Sequence, residues 1–319
     1  MLKETLTRRR LGAVLLVLIS LPMLAMAHGS RKELVVFGDS LSDPGNVFAL
    51  TGGYSLPPYE IIPTYPYLVG GFHFSNGPTW VEQLVLLGGV KLTSTLPAFR
   101  LPGVFKNYAV GGSRARGGAG TLPEGDLSVQ VQRYLADSGG LANPGATHVI
   151  FIGGNDIRDA LVASAIDPTF ATSQQILTAA VTAVATNIQV LYAAGARRFV
   201  VVNAPDVGLA PAVRMLGPQV QGGATLLSSL YNQGLGQVVG QLTFLPGIDL
   251  RPVNLFSALQ DVVANPGNYG LANVTEACLK FGVTVGVYCK KPSSYLFWDG
   301  IHPTIAGHRI IALLIGPSL

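Results

Sequence analysis

Ser40 stands at the end of Val35-Val36-Phe37-Gly38-Asp39-Ser40-Leu41-Ser42-Asp43, where strand-forming residues from Leu34 to Phe37 deliver a serine onto a turn that Gly38 permits. A serine hydroxyl is a weak nucleophile at its free pKa, so chemistry at Ser40 needs a base and a site for a developing oxyanion elsewhere in the chain. By itself a Gly-Asp-Ser after a strand reads more readily as a helix cap than as a nucleophile. Three further motifs change that balance. Asn107-Tyr108-Ala109-Val110-Gly111-Gly112-Ser113 ends in glycines that can bring a bare backbone N–H against a ligand oxygen, and Gly153-Gly154-Asn155-Asp156 offers the Asn155 amide as a side-chain donor. Trp298-Asp299-Gly300-Ile301-His302-Pro303-Thr304 sets a carboxylate and an imidazole three residues apart, just before a helix. A neutral imidazole titrates near neutral pH, and a carboxylate on its other nitrogen fixes the tautomer. The chemistry these groups can perform together is acyl transfer through a serine.

The other histidines of the chain lack such a neighbour. His148 opens a strand and His308 falls inside a helix, both structural positions; His73 has no carboxylate in a comparable local arrangement, and neither has His28. Asp39, Asp43 and Asp156 compete for the role of the acid but have no histidine beside them, so they read as turn and cap residues.

Taken in order, the four blocks from Leu34 to Thr304 resemble those of the SGNH, or GDSL, family of lipases and esterases. Phe74-Ser75-Asn76-Gly77-Pro78-Thr79-Trp80-Val81 and Tyr295-Leu296-Phe297-Trp298-Asp299 further resemble the secreted bacterial phospholipase, lysophospholipase and choline-esterase branch. The resemblance implies a flavodoxin-like three-layer α/β/α sandwich around a central parallel five-stranded sheet. It also implies Ser40 as nucleophile, His302 as general base and then acid, and Asp299 as the group that orients the imidazole. The oxyanion donors would be the backbone N–H groups of Ser40 and Gly112 and the side-chain amide of Asn155; alignment on Asn107 selects Gly112, and the adjacent Gly111 stays open as the alternative. No cofactor or metal is implied. The implied substrate is a small carboxylic ester or lipid: a short-chain acyl, choline or lysophospholipid ester. A carbohydrate acetylester is the alternative, as is a non-catalytic binding protein on the same fold.

The elements that would hold these residues alternate along the chain. Apolar runs at Leu34 to Phe37, Lys106 to Val110, His148 to Ile152, Phe199 to Asn203 and Ile248 to Asn254 predict five strands. Helical patterns fill Thr79 to Leu87, Ser128 to Ala136, Ser173 to Ala194, Ala224 to Leu242 and Thr304 to Ile315. Strands separated by helices predict a parallel sheet with right-handed crossovers and a site at the carboxyl ends of its strands. Two stretches depart from this rhythm. Ser42 to Gly77 is rich in Gly, Pro, Tyr and Phe, and its Tyr54, Tyr59, Tyr65, Tyr67, Phe72 and Phe74 either line an acyl or head-group pocket or pack the loop against the body. Asn265 to Pro292 is the second irregular stretch.

Met1 to Ala27 combines Lys3 and Arg8 to Arg10, an apolar run from Leu11 to Met26 and an Ala25-Met26-Ala27 cleavage site, the pattern of a secretory signal peptide. An uncleaved anchor is the rival reading, and Thr7-Arg8-Arg9-Arg10 also permits twin-arginine export. Cleavage leaves residues 28–319 as a single hydrolase domain in the periplasm or outside the cell. It removes four of the 21 Lys and Arg and one of the 17 Asp and Glu, so the net charge falls from +4 to +1. Without a basic stripe, nucleic acid is excluded as a partner. The mature chain is expected to be soluble and monomeric, with at most transient contact with membrane lipid. Cys278 and Cys289 are the only two cysteines, and in an exported chain they are expected to pair as a disulfide. Two thiols without nearby histidines give too few ligands for a metal.

Overall fold

Period-two alternation in the central strands sorts their side chains onto two opposite faces, and the fold follows from covering both. The computed structural model describes residues 31–52, 67, 72–118, 125–280 and 288–319; the expected leader, His28 and Tyr54, Tyr59 and Tyr65 lie outside them. Arg31–Leu319 form one compact unit. In chain order the elements are β1 (Leu34–Gly38), α1 (Asn46–Leu50), α2 (Trp80–Leu86), α3 (Leu127–Asp137), β2 (Thr147–Phe151), α4 (Gly154–Ser164), α5 (Ala171–Ala193), β3 (Arg198–Val202), α6 (Pro211–Arg214), α7 (Pro218–Leu242), β4 (Asp249–Val253), α8 (Leu255–Ala264), β5 (Asn273–Ala277), β6 (Tyr295–Phe297) and α9 (Ile305–Ile315).

Strands β1, β2, β3 and β4 form one parallel sheet in that order. Val35, Phe37, Ile150, Phe199 and Val201 face α3, α4, α5 and α7, packing against Tyr134, Ile157, Leu177, Ile188 and Tyr231. Leu34, Val36, Val149, Phe151, Val200 and Val202 face the other way, onto Trp80 and Leu84 of α2 and Ile311 and Ile315 of α9. Each such side chain, fully buried, contributes roughly 1.5–3 kcal/mol. The result is the three-layer α/β/α sandwich. Helix α5 is by length and composition apolar enough to cross a membrane; its Leu177, Val184, Ile188 and Leu191 are buried in this core.

Five strands were expected, and the described sheet has four. Lys106 to Val110 does lie along the free edge of β1: Val36 N–H donates to Lys106 O (3.0 Å), Tyr108 N–H to Val36 O (2.7 Å) and Val110 N–H to Gly38 O (3.1 Å). It does not form a regular strand because Asn107 diverts the backbone. Its Oδ1 accepts the Ala109 N–H (3.1 Å), and the outer neighbour at its bridge is Pro97, which has no N–H to give. The edge is tied down by these backbone bonds together with side-chain bonds, Asn46 Nδ2 donating to Asn107 O and Ala109 O (2.8 Å each).

Four helices sit where no helix was expected: the short α1 and α6, and the longer α4 and α8. Gly153 precedes α4 with φ 126°, and a Cβ there would come within 2.4 Å of the Tyr231 ring, so this glycine serves both the turn and the close packing. Asn254 directly follows β4 and caps α8 by accepting the Ser257 N–H (3.1 Å), which leaves no loop signal between strand and helix. Helix α7 begins at Pro218, well before Ala224; proline at the first helical position starts it, and Gly222 and Gly223 are carried inside it despite their low propensity. Within the second irregular stretch β5 pairs in parallel with β6, building a small separate sheet beside the main one.

Candidate active site

At the carboxyl end of β1 the backbone is fixed before it reaches Ser40. Gln130, buried in α3, accepts the Gly38 N–H (2.9 Å) and donates to Gly38 O (2.7 Å). Gly38 is needed here because a Cβ would lie 2.5 Å from Phe151 O of the neighbouring strand. Past the serine, Asp39 Oδ1 accepts the Leu41 N–H (3.0 Å), Ser42 Oγ accepts the Trp80 indole N–H (2.9 Å), and Asn107 Nδ2 donates to Ser42 O (2.9 Å).

Asp43 then gathers four backbone donors. Its carboxylate accepts from Gly45 (2.7 Å), Asn46 (2.5 Å), Val47 (3.1 Å) and Gly111 (2.7 Å). Burial still pushes its pKa up against the opposing pull of these N–H groups. One of these bonds bears on the choice between the two glycines: the Gly111 N–H is already spent on Asp43. The Gly112 N–H has no acceptor among the described residues, and Gly112 adopts φ 81° while its carbonyl accepts from Arg114 Nη1 (2.6 Å). Gly111 contributes by lacking a side chain, since a Cβ would come within 2.3 Å of the Phe74 ring.

Asp299 and His302 arrive from the other end of the chain. After β6 the chain turns tightly, with Trp298 N–H donating to His302 O (2.7 Å). Asp299 Oδ1 accepts the N–H groups of Ile301 (2.8 Å) and His302 (2.7 Å), and Oδ2 accepts from His302 Nδ1 (2.7 Å). The carboxylate is buried, and burial raises its pKa, but His302, Tyr67 and the Ile301 N–H outweigh that and hold it below the ordinary range. With Nδ1 donating to this anion, Nε2 is left to accept the Ser40 hydroxyl, 2.8 Å away. Ser40, His302 and Asp299 thus form one continuous hydrogen-bonded chain.

Asn155 lies in the first turn of α4, at the carboxyl end of β2. One of its two amide hydrogens goes to Ser113 O (2.9 Å), which fixes the side chain, and it lines the same cavity as Ser40 and His302. That cavity, about 310 Å³, is walled by aliphatic side chains of α4, α6, α8 and α9, among them Leu161, Val213, Leu259 and Ile310. Asp39, also on its wall, is pushed up to about 6, chiefly by burial.

The other expected residues fall elsewhere. His148 and His308 are buried, and burial drives their pKa values down to about 4 and about 3. His73 pairs with Glu82 (3.0 Å), the acid of the capping box that starts α2. Asp156 receives the Ala115 N–H (2.8 Å) and pairs with Arg116 (3.3 Å). Cys278 and Cys289 are bonded to each other, with Cα atoms 4.8 Å apart.

Of the loop aromatics within the described residues, none lines the cavity. Phe72 stacks on Phe48 (4.2 Å between centroids), and Phe74 lies over the His302 ring (5.1 Å). Tyr67 does something the sequence reading did not assign to it: its hydroxyl donates to Asp299 Oδ2 (2.6 Å), the same oxygen that holds His302. Burial, and next the Asp299 charge, keep that phenol protonated well above its ordinary range. Nothing in the spacing of Tyr67 singles it out from its neighbours. Ser75 and Asn76 also hold the chain just after His302: Ser75 Oγ donates to Pro303 O (2.9 Å) and Asn76 Oδ1 accepts the Ile305 N–H (2.8 Å).

A family model described as GDSL-like lipase/acylhydrolase matches residues 34–315. The chain belongs to this family. Its class of activity is accordingly carboxylic ester hydrolysis. Among similar proteins, GDSL esterase/lipase At1g23500 of Arabidopsis thaliana is 27% identical over 88% of this chain and 87% of its own length. Esterase EstA of Pseudomonas aeruginosa is 33% identical over 90% of this chain, a match that spans 46% of EstA. Among solved structures, a catalytic mutant of the acetylxylan esterase Axe2 from Geobacillus stearothermophilus covers 91% of this chain and 94% of its own, at 16% identity and a TM-score of 0.48.

Proposed function

We propose that this GDSL-family hydrolase cleaves acyl esters through a covalent acyl-enzyme on Ser40, with His302 and Asp299 as its partners. The observation that carries the reading is the unbroken chain Ser40 Oγ, His302 Nε2, His302 Nδ1, Asp299 Oδ2 at the wall of an apolar cavity. His302 takes the hydroxyl proton as Ser40 attacks the ester carbonyl, and Asp299 stabilises the imidazolium without itself being protonated. The tetrahedral oxyanion is received by the N–H groups of Ser40 and Gly112 and by the amide hydrogen of Asn155 that Ser113 leaves free. His302 then protonates the departing alcohol, and water repeats the sequence to release the acid.

The aliphatic wall supports an acyl chain over a sugar, which would need polar partners for its hydroxyl groups. Short-chain acyl, choline and lysophospholipid esters are the substrates in view. Val162, Leu216 and Ile301 line the cavity and are also exposed, an apolar rim suited to an amphiphile and to transient contact with lipid. The leader at Met1 to Ala27 and the disulfide support export of residues 28–319, as one monomeric domain, to the periplasm or beyond. Assay of p-nitrophenyl esters of increasing chain length, with choline and lysophosphatidylcholine esters alongside, tests the reading. Turnover that rises as the chain fills the cavity is the expected result, and turnover of acetylated sugars alone refutes it.

A further inference from the structure

Helix α4 carries a second polar group into the cavity one turn beyond Asn155. Asn155, Arg158 and Val162 follow each other at helical spacings of three and four, so they share a face, and all three line the cavity that holds Ser40. At 1.5 Å per residue the Arg158 backbone stands roughly 4.5 Å along the axis from that of Asn155. A group held by Arg158 is therefore close to an ester whose carbonyl oxygen sits at Asn155.

The Arg158 guanidinium is poorly compensated. It has no hydrogen-bond acceptor among the described residues, and its nearest carboxylate oxygen, Asp159 Oδ1, is 3.9 Å away. Asp159 is already committed elsewhere: it accepts from Arg114 Nε and Nη2 at 3.0 Å each, and from Arg116 Nη2. Asp39 faces the same cavity, but one of its oxygens accepts the Leu41 N–H and burial disfavours its charge. The Arg158 side chain is 47% exposed, so the guanidinium is at the mouth and within reach of an entering molecule. Among the described cavity residues it is the one permanent cation; the second carboxylate of the lining, Asp206, is occupied by the Gly208 N–H (3.0 Å), Thr225 Oγ1 (2.8 Å) and Gln260 Nε2 (2.9 Å).

An arginine with unspent donors matches a phosphate better than it matches a neutral group, because its planar fork bonds two oxygens at once. We propose that Arg158 is a subsite for a phosphate or phosphodiester group carried on the alcohol part of the substrate, while the acyl chain fills the aliphatic cavity. The proposal rests on the ester-hydrolase reading and narrows it to amphiphilic acyl esters bearing phosphate.

The test uses four substrates with one common acyl chain: lysophosphatidylcholine, lysophosphatidic acid, a monoacylglycerol and a p-nitrophenyl ester, all below their aggregation limits. The quantity read is the ratio of kcat/KM for each phosphate-bearing ester to that for the monoacylglycerol. In Arg158→Gln this ratio falls by about 10-fold to 100-fold, the range of one charge-assisted hydrogen-bonded contact; Arg158→Lys recovers part of it. Equal falls on both phosphate esters place the recognition on the phosphate itself. A fall on lysophosphatidic acid alone restricts the subsite to a terminal phosphate. An unchanged ratio in Arg158→Gln, even if all four rates drop together, overturns the proposal and leaves the ester-hydrolase reading intact. A wild-type enzyme that turns over none of the four removes both.

Discussion

The two halves of the catalytic chain are held by different kinds of structure. Ser40 leaves a strand whose residues Leu34 to Phe37 are fully buried, and the turn after it is pinned from both sides of the sheet by Gln130, Asn107, Trp80 and Asp43. His302 and Asp299 belong to a short loop outside the main sheet. That loop is held by β6, by a disulfide-closed segment whose Cys278 N–H donates to Phe297 O (3.0 Å) and Leu279 N–H to Trp298 O (2.6 Å), and by Tyr67 and Ser75 from the aromatic loop. Ser40, the proposed nucleophile, is therefore placed by the global core, which yields only on unfolding. His302, the proposed base, is placed by a local assembly that can loosen on its own.

The largest effect comes from removing the point where the halves meet. Ser40→Ala should lower kcat by on the order of ten-thousand-fold to a million-fold while leaving the melting temperature nearly unchanged, since the hydroxyl contributes chemistry and little packing. Activity within about tenfold of wild type in purified Ser40→Ala would take Ser40 out of the mechanism. Next is Asn155→Ala, which belongs to the nucleophile's side. An oxyanion donor bonds best to charge present only in the transition state, so the loss of roughly 3 kcal/mol should fall on kcat and not on KM. Steady-state kinetics decide it: a rise in KM at constant kcat makes Asn155 a ground-state contact.

The same division explains what the sequence displayed and what it hid. β1, β2 and their following glycines were readable because a buried parallel strand leaves a continuous apolar run and a sharp turn leaves a glycine. Lys106 to Val110 has that apolar look as well, yet Asn107 bonds its own backbone and spends its amide on Ser42; a strand-like composition concealed a polar tether. No helix was expected after Gly153-Gly154, whereas Gly153 is the cap that lets α4 begin at once. On the other side, the spacing of Asp299 and His302 was visible in the sequence and the resemblance implied their pairing, which the structure has at 2.7 Å. The β5–β6 sheet was not visible there, since β5 is short and partly exposed without clean alternation and β6 has only three residues. Tyr67 was hidden for a deeper reason: its partner is 232 residues away, and no local pattern records a contact of that range.

Removing the disulfide weakens the base's side without touching the nucleophile's. The bridge closes a loop of 11 residues, worth roughly 3 kcal/mol in the chain-entropy picture. The Cys278→Ser, Cys289→Ser double variant should melt about 5–10 °C lower, with activity near wild type in the cold and an early loss on warming. An unchanged melting temperature contradicts the stabilising role. Equal loss of activity at all temperatures would show instead that the loop sets the resting geometry of Asp299 and His302.

The smallest change is the most selective probe of the base. In Tyr67→Phe the ring is retained against Trp298, 6.5 Å away edge-on, and only the hydroxyl that donates to Asp299 Oδ2 is lost. That hydroxyl stabilises the carboxylate and drains charge from the oxygen His302 also uses. Without it, one of the groups that hold the Asp299 carboxyl below its ordinary range is gone, so its pKa rises. Because the His302 ring is oriented by an ionised Asp299, activity is lost as pH falls through that raised pKa, so the acid limb of kcat/KM should move to higher pH. The plateau should fall only about threefold to tenfold, since Asp299 keeps the Ile301 and His302 N–H groups as well as the ring itself. The pH profile separates this role from simple packing. A lower plateau with an unmoved acid limb makes Tyr67 a filler beside Trp298, and a limb displaced to lower pH reverses the sign of the argument.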